Sequence, residues 1–183
     1  MNVWLIQVSL APYSKGGVYI NKHVLSVLVE NHSGVLSRIA GLFSRRGYNI
    51  DSLSVGVTEN PEISRMTITV TGDDYILEQI KKQLNKLINV IKVVELKPEK
   101  SVYRDLVLIK VRADSKDRSA IHETVNIFRA NIIDVSTDTL TIELTGDAGK
   151  ISAFVDVMKP YGIIELVRTG FAGMQRGSMQ IND

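Results

Sequence analysis

The stretch HVLSVLVENHSGVLSRIAGLFSRRG, residues 23–47, changes its period half-way, and that change decides the fold. From His23 to Glu30 the chain is almost continuously apolar, through Val24, Leu25, Val27, Leu28 and Val29, which predicts a strand covered on most sides. Asn31-His32-Ser33-Gly34 stops the run. From Val35 onward, Leu36, Ile39, Ala40 and Phe43 fall at i, i+3, i+4 and i+7, the spacing of one helix face. Arg45 and Arg46 stand in the last turn, where positive charge suits the helix dipole, and Gly47 supplies the stop.

Working outward, Tyr48 to Thr58 and Ile63 to Thr71 read as a hairpin around Asn60-Pro61. In its second arm Met66, Ile68 and Val70 alternate with Thr67, Thr69 and Thr71, so the threonines should face away from the helices, toward water or a partner sheet. Gly72-Asp73-Asp74 opens a second helix with the stripe Leu77, Ile80, Leu84 and Leu87, and Val90 to Leu96 closes with a strand. The polar segment Lys97-Pro98-Glu99-Lys100 marks a boundary. After it the pattern restarts: Leu106 to Val111, a helix through Ile121, Val125 and Phe128, a hairpin of Ile132 to Val135 and Thr139 to Leu144, a helix through Ile151, Phe154, Val155 and Met158, and a strand at Ile163 to Val167. Local wording repeats as well, Thr71-Gly72-Asp73 returning as Thr145-Gly146-Asp147.

The expectation is an α+β chain of two tandem ferredoxin-like (βαββαβ) domains, residues 23–97 and 101–170. An N-terminal extension, 1–22, precedes them and reads as poorly ordered or as a short docking strand. A tail, 171–183, follows as a flexible or docking element. Helices on one face of a four-stranded sheet leave the other face and the edges to be covered, so a homodimer is expected.

Composition narrows the function classes. The 183 residues contain no cysteine, which removes thiolate metal sites, disulfides and cysteine nucleophiles and suits a reducing, cytoplasmic setting. Residues 23–98 carry 9 basic and 8 acidic side chains, +1, and residues 99–183 carry 11 and 12, −1, so neither half has the concentrated charge that binds nucleic acid. No apolar run approaches the roughly 20 residues that span a bilayer, and no membrane partner is expected.

Reactive groups do not converge. His23 begins a strand, His32 lies in a loop and His122 lies on a helix without a His or Glu at ligand spacing, so no metal site and no catalytic residue are assigned. Asp73, Asp74 and Asp147 open helices, where carboxylates cap amides. Arg38 can bind an anion, and Lys81, Lys82 and Lys86 form a solvated face. The loop Asn31 to Val35 joins a buried strand to a helix start whose first amides lack intrahelical partners. It reads either as an ordinary turn capped by Ser33 or as a seat for a carboxylate, with Gly34 admitting a ligand close to the backbone.

Taken together, Leu25 through Arg38, Gly41 through Ile50, Ser64 through Ile68 and Leu77 through Leu87 closely resemble the small regulatory subunits of acetolactate synthase (acetohydroxyacid synthase). The resemblance resumes at Ile127-Phe128-Arg129-Ala130 to Asp134 and at Arg168-Thr169-Gly170, covering about residues 23 to 177. It implies that the first domain is an ACT domain, that two copies pair through it, and that the chain has no catalysis of its own. The implied role is to activate a catalytic large subunit in branched-chain amino-acid biosynthesis and to confer feedback inhibition by valine, with isoleucine or leucine as alternatives. Thiamine diphosphate, Mg and FAD are implied for the catalytic partner, and no cofactor for this chain. The effector site carried over by position is Asn31, Gly34, Val35 and Leu36 from one copy, with Asn49 and Ile50 from the other. There amides would hold the carboxylate, asparagine carbonyls would accept from the ammonium group, and apolar neighbours would fit the isopropyl group. Two departures stand out: the extension Met1 to Lys22, and His32 at a position often acidic in the family.

Other classes lack their working part. An ACT regulator of transcription needs a DNA-binding segment, and an acylphosphatase needs an arginine absent from Asn31 to Val35. An RNA-binding module needs aromatic residues where Met66, Ile68 and Val70 stand.

Overall fold

The computed structural model describes residues 13–15, 18–179 and 181. They fall into two compact units. One holds the described residues between 12 and 104 together with those from Thr169 onward, and the other is Asp105–Arg168.

In the first unit, β1 (Tyr13–Lys15) pairs with the start of β2 (Val18–Glu30), which leads into α1 (Val35–Arg46). A hairpin of β3 (Ser52–Val57) and β4 (Ile63–Gly72) follows, then α2 (Asp74–Leu84) and β5 (Val90–Glu95). All pairings are antiparallel, in the order β5-β2-β4-β3. The first strand starts five residues before the predicted His23: Asn21 and Lys22 already pair with Gly72 and Thr71, so part of the 1–22 extension belongs to the sheet. Residues 1–12, 16 and 17 of that extension lie outside the described residues.

Leu25, Val27 and Val29 of β2, with Met66, Ile68 and Val70 of β4, pack on Val35, Ile39, Leu42 and Phe43 of α1 and on Leu77, Ile80 and Leu84 of α2. The buried stripe of α1 is turned from the predicted one, because Leu36 and Ala40 are exposed while Leu42 is buried. The face away from the helices, where the threonines were expected, is covered as well. Val24, Ser26 and Leu28 are buried there too, and so are Thr67 and Thr69, whereas Thr71 is exposed as expected. Thr69 accepts a hydrogen bond from Ser52 at 2.9 Å, and Ser52 lies against Gly170, where an added Cβ would come within 2.9 Å of it.

That contact shows what the segment after the last strand does. Residues 171–183 were expected as a flexible or docking tail; Ala172–Gln175 form β10, antiparallel to Ser101–Arg104. Phe171 is buried against the ring of Tyr103 at 5.9 Å. Arg176 donates from its backbone to Lys100 and from its side chain to Ser101. Gly173 must lack a side chain, since a Cβ would lie 2.8 Å from Leu96 and 2.9 Å from Tyr103. Residues 170–176 therefore return to the first unit as a strap.

The second unit repeats the plan. β6 (Ser101–Arg112), α3 (Arg118–Ile127), β7 (Asn131–Val135), β8 (Thr139–Gly146), α4 (Ala148–Met158) and β9 (Ile163–Arg168) give the sheet order β9-β6-β8-β7 from Asp105 onward. Its core joins Val107, Ile109 and Val111 to Ile142, Leu144, Ile121, Val125, Ile151 and Phe154. The repeat extends to detail. The register slips once between β2 and β5, at Leu28/Val29, and once between β6 and β9, at Lys110/Val111. Asp73 caps α2 by accepting from the Ile76 amide, and Asp147 caps α4 by accepting from the Lys150 amide, both as predicted.

Candidate effector site

The end of β2 and the start of α1 are tied together by a loop whose conformation comes from one residue. Gly34 takes φ 88°, in the left-handed region that favours glycine, and stands at the N-cap without a side-chain hydrogen bond to the helix. Ser33 does not cap, contrary to expectation, because the chain enters the helix through Gly34. No acidic residue occupies the first turn of α1. The Val35 amide donates to the His32 carbonyl at 3.5 Å, and the positive dipole end has no carboxylate in the first turn to neutralise it. A Cβ on Gly34 would meet nothing within 4 Å, so the space beside it is open.

Asn31 fixes the loop from the other side. Its Nδ2 donates to the Pro61 carbonyl at 2.7 Å, its Oδ1 accepts from Ser64 Oγ at 2.9 Å, and its backbone N–H donates to the Glu62 carbonyl at 2.7 Å. One acceptor lone pair of Oδ1 remains for a ligand. Glu30, Asn31, His32, Asn60, Glu62, Ile63 and Ile91 line an open cleft of about 430 Å³ beside the loop.

A polar network closes the loop at its base. Asn89 is buried; its Nδ2 donates to Glu30 Oε2 at 2.6 Å, and its Oδ1 accepts from Arg38 Nη1 at 2.6 Å. His32 Nε2 lies 3.0 Å from Glu30 Oε2, and its Nδ1 lies 3.2 Å from the Ser33 carbonyl. The Asn89 amide and then His32 hold the Glu30 carboxyl below its ordinary range, while the Ser33 carbonyl and then Glu30 push His32 up.

The residues carried over from the family fall into two groups. Asn31, Gly34, Val35 and Leu36 gather at the start of α1. Val35 is a core residue whose amide donates to the His32 carbonyl at 3.5 Å, whereas the Leu36 side chain is 44% exposed. Asn49 and Ile50 lie past the other end of the same helix, beyond Gly47. Asn49 is exposed and donates to Asp51 Oδ1 at 3.0 Å, and Ile50 packs on the core. The twelve residues of α1 separate the groups by about 18 Å at 1.5 Å per residue. The structure thus does not bring the two groups together within one chain. Pro61, Ser64 and Asn89 were not singled out from the sequence, because each reaches the loop only through strand pairing. The pairing of Glu30 with Ile63 is what places the β3–β4 turn beside Asn31.

Residues 25–92 match the family described as AHAS small subunit-like ACT domain, and residues 104–177 match the family described as small subunit of acetolactate synthase. The chain is 59% identical over 157 residues to the probable acetolactate synthase small subunit of Archaeoglobus fulgidus, covering 86% of this chain and 98% of that protein. The chain belongs to the acetolactate synthase small subunit family. The small subunit of Mycobacterium bovis is 58% identical over 155 residues, 85% of this chain and 92% of that one. The crystal structure of the Thermotoga maritima small subunit superposes with a TM-score of 0.81 at 44% identity, covering 87% of this chain and all of that one. Membership as a small subunit implies a catalytic subunit as partner, and the first unit is an ACT-like regulatory domain. Among the described residues no cluster of His, Cys, Asp or Glu is placed to hold a metal ion, and no helix is long and apolar enough to cross a membrane.

Proposed function

We propose that this chain regulates an acetolactate synthase, raising the activity of the catalytic subunit and withdrawing that effect when valine binds between two copies of the first unit. In this reading thiamine diphosphate, Mg and FAD stay with the catalytic subunit, the chain carries no cofactor, and the complex works in the cytoplasm.

The observation that carries the reading is the separation of the site residues along α1. The loop at Gly34 and the segment at Asn49 sit about 18 Å apart on one chain. Two copies with antiparallel α1 helices would set the loop of one against Asn49 and Ile50 of the other. The surface there suits pairing: β3 is the edge of its sheet, and Val55, Val57 and Leu36 are exposed at 45%, 60% and 44%.

The chemistry fits an α-amino acid. Amides in the first turn of α1 beyond Val35 receive the carboxylate, the carbonyls of Asn31 and Asn49 accept from the ammonium group, and Leu36 and Ile50 offer apolar contact to a branched side chain. Isoleucine and leucine carry one more carbon and compete for the same room. A site completed by two chains exists in only one dimer arrangement, which gives the effector the differential affinity that regulation requires.

Mixing the chain with its catalytic subunit should raise acetolactate formation, and valine should reverse the increase. No stimulation together with no effect of valine would refute the reading.

A further inference from the structure

Asn89 is far from the loop in sequence, yet it bonds both of its flanks. Its backbone carbonyl accepts from the Glu30 N–H at 3.0 Å and its Nδ2 donates to Glu30 Oε2, so it holds the last residue of β2 twice. Its Oδ1 holds Arg38, one turn into α1. Between those flanks lie only Asn31 to Val35 and the first turn of the helix. Asn89 is 8% exposed while Glu30 and Arg38 reach solvent, so the bonds are part-buried and anchor two surface side chains on one buried amide. An uncharged amide suits both partners, because it donates to a carboxylate with one end and accepts from a guanidinium with the other.

We propose that Asn89 is a positioning residue for the effector loop: by clamping Glu30 to Arg38 it holds the amides at the start of α1 in the geometry that receives the effector's carboxylate. This rests on the reading that the loop binds a small amino acid. The clamp also fixes where charge lies. Arg38 is drawn toward Asn89 and Glu30, and Glu30 is held against Asn89 and His32. The ionisable groups around the loop base are Glu30, His32 and Arg38, with Glu62 of the β3–β4 turn across the cleft. A loop without the clamp must be ordered by the ligand itself, which lowers affinity without removing any ligand contact.

The test uses the full chain and titrates L-valine by calorimetry. Asn89→Leu and Arg38→Met should each weaken valine binding about tenfold, the scale of one buried hydrogen-bonded link. The double variant should be no weaker than either single one, because both break the same clamp. Asn89→Asp keeps an acceptor for Arg38 but sets a second carboxylate against Glu30. Its affinity should be low at pH 7.5 and recover toward that of the unsubstituted protein by about pH 5.5, as the crowded carboxylate pair takes up a proton. Asn89 Nδ2 also lies 3.3 Å from His32 Nε2, so a carboxylate there changes the titration of His32 as well, and the same pair of proteins carrying His32→Gln isolates the carboxylate pair.

A residue that merely stabilises the fold would lower melting temperature without this pH-dependent recovery. Unchanged affinity in Asn89→Leu and Arg38→Met, or weakened affinity in Asn89→Asp with no recovery on acidification, would overturn the clamp. Absence of valine binding by the unsubstituted protein would instead overturn the reading on which it rests. Amide exchange at residues 33–38 then still tests the clamp itself, which fails if Asn89→Leu leaves those rates unchanged.

Discussion

The two units place a strand-to-helix loop at the same point of the same fold, and the loops enter their helices differently. Between β2 and α1 the chain turns through Gly34, with no side-chain cap and no acid in the first turn. Between β6 and α3 it turns through Asp114 and Asp117. The Asp114 carbonyl accepts from the amides of Asp117 and Arg118, and Arg118 Nε bonds the Ala113 carbonyl. Asp117 sets a carboxylate at the N-cap of α3, which disfavours a second one there despite Lys116 and Arg118, whereas Gly34 leaves the N-cap of α1 open and uncharged. A shared scaffold does not imply a shared site.

Gly34→Asp, which puts a negative charge at the open helix start, should abolish valine inhibition, a change of about a hundredfold in sensitivity, while leaving stimulation of the catalytic subunit intact. Asp117→Gly, the matching change in the second loop, should leave the valine response as it was. Inhibition assays on both variants decide whether the comparison of the loops is the right one; equal effects would break it.

The corners of the two sheets differ next. Asp105 is 1% exposed and accepts from Arg168, Nε at 2.8 Å, while at the corresponding place in the first unit His23 meets Glu95 at 3.4 Å and its Nε2 finds no partner. Removing Arg168 withdraws the cation from a buried carboxylate, so Arg168→Met should cost about 3 kcal/mol in denaturant unfolding. Glu95→Gln, at the weaker corner, should cost under about 1 kcal/mol. Comparable losses would mean that the corners are equivalent after all.

A smaller contrast lies at the helix ends. Gly47 ends α1 at φ 69°, with its own N–H donating to Ser44 and that of Tyr48 to Phe43. Arg129 follows α3 at φ 51° with the same pair of bonds, from Arg129 to Asn126 and from Ala130 to Val125. Glycine bears this conformation without strain and arginine does not. Gly47→Arg should therefore destabilise by about 1 kcal/mol, and Arg129→Gly should stabilise by up to about that amount, as thermal melts would record.

The smallest effect is the pH response of the first loop, which the second has no histidine to share. The folded state raises the affinity of His32 for its proton, so that contribution is present below the ordinary His value of 6.5 and fades as pH rises through the raised one. It lowers that of Glu30, so that contribution is present above the ordinary value of 4.5 and fades as pH falls through the lowered one. Both are present between pH 4.5 and 6.5. His32→Gln should flatten the alkaline side of this small term in stability measured against pH. An unchanged profile would show that the pair in the loop carries no linkage.

Much of this was legible in the sequence. The period change at Asn31 to Gly34 marks the first strand and helix, the alternation from Met66 to Val70 marks the central strand, and Asp73 and Asp147 cap the helices they were expected to cap. The first stripe was misplaced because Leu36 and Leu42 are equally apolar, and only the position of the sheet decides which is buried. β10 was not read as a strand for a similar reason. Ala172-Gly173-Met174-Gln175 has no strand pattern of its own and is held by Ser101–Arg104. Half of the candidate site, the loop at Gly34, was visible as a helix start without acid. The other partners of that loop were not, since Asn89 is 58 positions beyond Asn31.

The order of elements, the repeat, the open helix start at Gly34 and membership of the family are properties of the sequence by itself, because periodicity, capping chemistry and the absence of charge act over a few neighbouring residues. Tertiary structure alone decided that the threonine face is buried within one chain and that the last strand returns as a strap to the first unit. It also decided that Asn89 ties Glu30 to Arg38, and that α1 holds the two groups of site residues apart. Each of these depends on which distant segments pair, and strand pairing is chosen by the whole core rather than by any local stretch.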